Sequence, residues 1–222
     1  MPQRKSRKIL LYIFLFLIIG TLNNKNFNNK LEYENEIIVF GLDEKNNQEI
    51  ANNLKLLQLG NLFFLDKNKI EEIVKSNSLV EKYSVFKEYP SSLKIKIDKT
   101  KFFAQVIKND IYFLLGSNGN LIKTNEFNKD IPIIVGDFNT ENFMSLKKAA
   151  DESDFDFFSI KKLFFYNSGR WDLELASGII VKLPRNDILD SLKFLILILI
   201  ENKENKINMI DLRQKNQIII NG

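Results

Sequence analysis

The stretch Tyr89-Pro90-Ser91-Ser92-Leu93-Lys94-Ile95-Lys96-Ile97-Asp98 decides the fold. Leu93, Ile95 and Ile97 alternate with Lys94, Lys96 and Asp98, and side chains in a strand point to opposite faces in turn. This is a half-buried strand with one apolar and one solvated face. Tyr89-Pro90-Ser91 supplies a turn, and the β-rich run Val80 to Glu88 precedes it. Upstream, Asp66 can cap a helix bearing Ile70, Ile73 and Val74 on one face. Gly60-Asn61 separates it from a helix over about Asn47 to Leu57, with Ile50, Leu54 and Leu57 at helical spacing. Ile37-Ile38-Val39-Phe40, stopped by Gly41, is a further strand. The order is β-α-α-β-β.

Downstream the pattern stays mixed. Asp110 to Leu115 reads as a strand, Gly116-Ser117-Asn118-Gly119 as a turn, and Asn120-Leu121-Ile122 as the return. Thr140 can cap a helix carrying Phe143, Leu146 and Ala150. Asn186 can cap another with Ile188, Leu192, Leu195 and Leu199. Phe194 to Ile200 is too short to span a membrane and lies between Asp190 and Glu201, so it is core. Gln217-Ile218-Ile219-Ile220 is a last strand, followed by Asn221 and Gly222. A terminal strand often lies at a sheet edge with one row of N–H and C=O groups unpaired. It can equally be interior.

At the other end, Ile9 to Leu22 reads ILLYIFLFLIIGTL, without a charge. Fourteen helical residues span about 21 Å against a hydrocarbon core of about 30 Å. Adding Asn23 and Asn24, with snorkelling by Lys8 and Lys25 and local thinning, brings the segment toward a membrane anchor. The alternative is a cleaved signal peptide, but no A-x-A-like site follows Ile19. Arg4, Lys5, Arg7 and Lys8 place the N-terminus in the cytoplasm and the rest outside. These four residues account for the whole net charge of +4. The remainder is neutral, which speaks against nucleic-acid binding. Asn23 to Glu36 is polar and reads as a spacer.

Cysteine and histidine are both absent. Disulfides, cysteine nucleophiles and the commonest neutral-pH base and transition-metal ligand are therefore excluded. Asp151-Glu152-Ser153-Asp154-Phe155-Asp156 lacks the glycine and terminal glutamate of an EF-hand loop and reads as a solvated helix end. Gly116 and Gly119 precede a strand rather than a helix, so they are no phosphate loop. Ser91, Ser92 and Lys94 form no base-and-orienter set. No catalytic constellation, metal site or cofactor is expected. By pattern, Trp171 belongs to the core or to a partner contact, and Arg170 is a solvated charge or a partner contact.

Several motifs in order resemble the FtsQ/DivIB family. In the first half they are Val39-Phe40-Gly41, Asn61-Leu62-Phe63-Phe64-Leu65-Asp66, Val80 with Val85, and Tyr89-Pro90-Ser91-Ser92-Leu93. Ala104 follows without the family's preceding proline. In the second half they are Ile131-Pro132-Ile133-Ile134-Val135-Gly136, Gly169-Arg170-Trp171-Asp172-Leu173-Glu174-Leu175 with Gly178 and Val181-Lys182-Leu183, and Ile210-Asp211-Leu212-Arg213. The resemblance implies an α+β fold: an N-terminal transmembrane helix, a POTRA domain (β-α-α-β-β), then a mostly antiparallel β domain with two helices. The expected division is 1–8 cytoplasmic tail, 9–24 transmembrane helix, 25–36 linker, 37–100 POTRA domain and 101–222 β domain. The short tail and lack of a long C-terminal extension resemble the FtsQ branch more than the DivIB branch.

What the resemblance implies for function is a divisome scaffold of bacterial cell division, without enzymatic activity. It would be single-pass type II in the cell inner membrane at the division septum, with its bulk in the periplasm. It would bind FtsB and FtsL and help control septal peptidoglycan synthesis. The implied partner-binding residues are Arg170, Trp171, Arg213, Gln217, Ile218, Ile219 and Ile220. Rival readings are another POTRA-bearing envelope protein, for outer-membrane assembly or secretion, and a periplasmic enzyme.

Overall fold

In the computed structural model the described residues are 3–22, 36–57, 65–89, 91–202, 207–214 and 217–221. The spacer over 25–35, the link Asn61–Phe64, Gly60 and Pro90 lie outside them.

The first domain is β1 (Glu36–Phe40), α2 (Glu44–Leu56), α3 (Lys67–Lys75), β2 (Val80–Glu88) and β3 (Ser92–Lys99). Its three-stranded sheet has the order β1-β3-β2, with β1 parallel and β2 antiparallel to β3. Leu93, Ile95 and Ile97 all point inward and are buried with Ile37, Ile50, Leu54, Ile70 and Val74. Asp43 starts α2 by accepting from the Asn46 amide, three residues earlier than the apolar spacing alone suggests. Asp66 starts α3 as expected, accepting from the Asn68 amide at 3.0 Å. Gly41 closes β1 at φ +118°, where a Cβ would lie 1.9 Å from the Ile97 carbonyl oxygen. Only glycine fits so close to another backbone.

The second domain is a nine-stranded sheet with the order β12-β11-β10-β9-β8-β7-β4-β5-β6. Its strands are β4 (Phe102–Lys108), β5 (Ile111–Gly116), β6 (Leu121–Thr124), β7 (Ile133–Val135), β8 (Ile160–Phe165), β9 (Trp171–Leu175), β10 (Ile180–Lys182), β11 (Met209–Asp211) and β12 (Ile219–Asn221). The pairs β4–β7, β7–β8 and β10–β11 are parallel. The others, β4–β5, β5–β6, β8–β9, β9–β10 and β11–β12, are antiparallel. The helices α4 (Thr140–Glu152) and α5 (Ile188–Glu201) contribute Phe143, Leu146, Leu192 and Leu195 to the core against this sheet.

Four local expectations change. Phe194 to Ile200, read as core, is amphipathic instead: Leu195 and Ile198 are buried, while Phe194, Leu197 and Ile200 are exposed. Asp110 is not in a strand. With Asn109 it forms a two-residue turn at φ 51° and 61°, the left-handed geometry that a tight hairpin between β4 and β5 requires. Asn139, not Thr140, caps α4, accepting from Asn142 at 2.7 Å, while the Thr140 hydroxyl turns to the Gly119 carbonyl. Asp187, not Asn186, precedes α5. It sits in the left-handed region with no side-chain cap, so its chain geometry rather than a cap bond starts the helix.

The N-terminal helix α1 spans Gln3–Leu22, and its apolar side chains from Ile9 to Ile18 are exposed. Among the described residues, no helix is long and apolar enough to cross a membrane. The transmembrane helix expected over 9–24 is therefore not established by the fold. The charge-free part is short, and positions 4, 5, 7 and 8 of the helix are basic.

Candidate protein-binding edge

Among the described residues, β12 ends the nine-stranded sheet and pairs with β11 alone. The expected last strand over Gln217–Ile220 is thus shifted: Gln217 and Ile218 precede β12, and Asn221 belongs to it. Which backbone groups face outward follows from the neighbouring ladder. Ile180 N–H donates to the Asn208 carbonyl and Leu212 N–H to the Lys182 carbonyl, both at 2.9 Å. The Asn208 carbonyl and the polar groups of Ile210 and Leu212 therefore turn toward β10, while the Asn208 N–H turns the other way and donates to the Asn221 carbonyl at 2.9 Å. Successive residues alternate, so Met209 and Asp211 turn theirs toward β12. Their partners in register are Asn221 and Ile219. The Ile220 N–H and C=O are left pointing away from the sheet, along its open edge.

The same register sorts the side chains. Leu163, Leu173, Val181, Ile210 and Ile220 form one row, on the core face. Phe164, Asp172, Lys182, Asp211 and Ile219 form the next row, on the opposite face. A line of alternating charge therefore leads across β9, β10 and β11 to the edge.

Both arginines singled out in the sequence stand beside this line. Arg170 leaves the turn before β9, where Gly169 takes φ +81°. Its guanidinium lies 4.4 Å from the centre of the Tyr166 ring, and its Nε is 3.5 Å from Asp172 Oδ1. That separation is too long for a good hydrogen bond, and neither atom has another partner. Burial raises the Asp172 pKa, opposed by the Arg170 charge and a hydrogen bond from Tyr166.

Arg213 is held more tightly. Its Nε donates to both Asp211 oxygens at 2.8 and 3.0 Å, its Nη2 to Oδ2 at 2.5 Å, and its backbone N–H to Oδ1 at 3.0 Å. The Arg213 hydrogen bond holds Asp211 below the ordinary carboxylate range, and the same pairing raises Arg213. These bonds use two of the three guanidinium nitrogens, and a guanidinium has five donors. On and just after the two strands next to β12, Lys182 and Arg213 outnumber Asp211, while Arg170 and Asp172 pair further in, at the start of β9.

Trp171 is in the core, not at the edge. It is 1% exposed, with the Phe165, Phe138 and Phe143 rings 4.7, 6.1 and 6.5 Å away. The sequence singled out neither Asp172 nor Tyr166 as a site residue. The alternation Trp-Asp-Leu-Glu-Leu puts Asp172 on the face opposite Trp171, but nothing in it shows that this face is covered. Among the described residues there is no group of side chains suited to hold a metal ion.

The Asp211–Arg213 pairing gives a pH dependence. A depressed folded-state pKa stabilises the fold above the unfolded carboxylate value of about 3.9, and the contribution is lost as pH falls through the folded value. Urea midpoints at pH 6 and pH 3 should therefore drop less for Asp211→Asn than for the parent chain. Equal drops would show that the pairing contributes nothing.

The fold defines a class of protein: a small β-α-α-β-β module followed by a mixed sheet with β12 at one edge. The FtsQ-type POTRA domain model matches residues 35–99, and the model for the C-terminal region of cell division protein FtsQ/DivIB matches 104–213. The chain belongs to the FtsQ/DivIB family. Arg170, Asp172 and Arg213 lie within the second match, and β12 lies beyond it. Cell division protein DivIB of Bacillus subtilis is 29% identical over 153 residues, which is 67% of this chain and 57% of the relative. FtsQ of Bradyrhizobium diazoefficiens is 25% identical over 72% of this chain and 48% of its own length. FtsQ of Rickettsia bellii is 26% identical over 83% of this chain and 70% of its own length. The chain thus spans about half the length of the first two. The major extracytoplasmic domain of DivIB from Geobacillus stearothermophilus superposes with a TM-score of 0.37 at 17% identity, covering 49% of this chain and 98% of that one.

Proposed function

We propose that this protein is a non-enzymatic scaffold of the bacterial divisome, joining earlier and later division proteins outside the cytoplasm. Its β12 edge receives an extended segment of FtsB, which brings FtsL with it and bears on septal peptidoglycan synthesis. The observation that carries this reading is the outward-pointing main chain of Ile220 at the end of the sheet. Strand addition takes affinity from main-chain hydrogen bonds and register from side chains. Arg213, just after β11, lies beside the edge and suits an acidic side chain on the incoming strand, whereas Arg170 stands three strands in, at the start of β9, and supports the surface behind it. Ile218 and Ile219, 37% and 50% exposed, offer apolar contact beside it.

The protein sits in the inner membrane through α1, with its N-terminus inside. Support comes from the exposed apolar side chains of that helix and the basic residues before them. Because the apolar part is short, the anchor relies on local bilayer thinning and snorkelling of flanking lysines. Depletion in cells tests the role directly: long filaments without septa are expected. Normal division with outer-membrane defects would favour the envelope-assembly reading instead. Recovery in the membrane fraction after a carbonate wash is expected of an anchored chain, and full release would refute the anchor.

A further inference from the structure

The two domains have separate apolar cores with no residue in common. Only Thr100 and Lys101 connect them, since β3 ends at Lys99 and β4 begins at Phe102. Such a joint would normally swing. Instead, the β5–β6 turn of the second domain closes over it. The Asn118 side-chain amide donates to the carbonyls of both Ser78 and Val80, each at 2.9 Å. The Ser117 hydroxyl donates to Glu81 Oε2 at 2.7 Å, and the Thr100 hydroxyl donates to the same oxygen at 3.1 Å. Ser117 also takes the Lys101 N–H on its oxygen at 3.0 Å and gives its own N–H to the Lys101 carbonyl at 2.7 Å. Gly116 makes room for this, because a Cβ there would lie 2.7 Å from the Thr100 hydroxyl.

We infer that these contacts are a latch that fixes the first domain to the nine-stranded sheet, so that the two-residue joint is held shut. Every contact in it is a hydrogen bond that water can replace. Beside the latch, an open polar groove runs between the domains, lined by Asn46, Asn53 and Asn77 on one side and Lys123 on the other. A small set of exchangeable bonds therefore decides whether the sheet holds one orientation to the first domain or swings about residues 100–101. With the latch shut, whatever is docked on the sheet keeps a fixed orientation to whatever is docked on the first domain. This inference rests on geometry alone and is independent of the partner assigned to β12.

The chain has no cysteine, so two can be introduced as the only sites for spin labels. Lys45 on α2 and Lys148 on α4 are exposed and lie in different domains. Pulsed electron spin resonance on the full chain carrying Lys45→Cys and Lys148→Cys should give one narrow distance distribution. Adding Ser117→Ala with Asn118→Ala, or Glu81→Ala from the other side, should spread it into a broad one while circular dichroism stays unchanged. Glu81→Gln keeps an acceptor oxygen and should remain narrow. A broad distribution in the parent pair overturns the latch. So does a narrow one in whichever of the two latch variants remains folded.

Discussion

Replacing Ile97 with Asp is expected to unfold the first domain, or to lower its stability by about 3 kcal/mol or more, the cost of burying an unpaired carboxylate. Ile97 is 2% exposed in the small core that also holds Leu54 and Val74, and its carbonyl lies against Gly41. A domain of this size has little stability to lose. Lys96 is its neighbour on the solvated face, in register with Phe40 and Ser84. Lys96→Asp should cost under about 0.5 kcal/mol. Urea unfolding of the two variants checks both values, and similar midpoints would show that the facing of β3 is wrong.

Trp171→Ala should cost about 3–5 kcal/mol in the second domain. The ring joins β9, β8 and the α4 layer through Phe165, Phe143 and Phe138, and its removal leaves a hole that these rings cannot all close around. It is the single tryptophan, so unfolding of the variant has to be followed by circular dichroism rather than intrinsic fluorescence. A loss below about 1 kcal/mol would mean that the ring is at the surface, where a direct partner contact would be its role instead.

The first domain was legible because its period is clean. Lys-Ile-Lys-Ile-Asp cannot hide its apolar face in any structure but a half-buried strand, and Asp66 stands one residue ahead of a helix with Ile70 and Val74 on one side. The second domain was less so. β7 is three residues long, Ile-Ile-Val, and apolar throughout, although Ile134 is buried and Val135 is 44% exposed, so no alternation marks it. β8 follows the one-turn 3-10 helix Phe157–Ser159 in a phenylalanine-rich stretch, and no alternation or motif marked it as a strand. The helix caps were misplaced by one residue because Asn139-Thr140 and Asn186-Asp187 each offer two capable side chains. Only the local chain path decides between them.

At the site, Arg170, Arg213 and the last strand could be named from motifs, and their convergence could not. Arg170 and Arg213 lie 43 positions apart in the chain. They come onto one face because β10 pairs with both β9 and β11, and that parallel β10–β11 contact is non-local. The sequence placed the strand over Gln217–Ile220, whereas the ladder sets it at Ile219–Asn221 and turns the Ile219 N–H inward. This changes which substitution tests the edge. Proline at 219 removes a bond to β11, and proline at 220 removes a donor that only an added strand would use.

Binding of purified FtsB to the Ile220→Pro variant is the most direct test of the proposed edge. Ile220→Ala, which keeps the backbone donor, serves as the control for loss of the side chain. The account predicts that Ile220→Pro stays folded by circular dichroism and loses most of its FtsB affinity, while Ile220→Ala keeps far more of it. A folded Ile220→Pro variant that binds FtsB as tightly as the parent chain would contradict strand addition at β12.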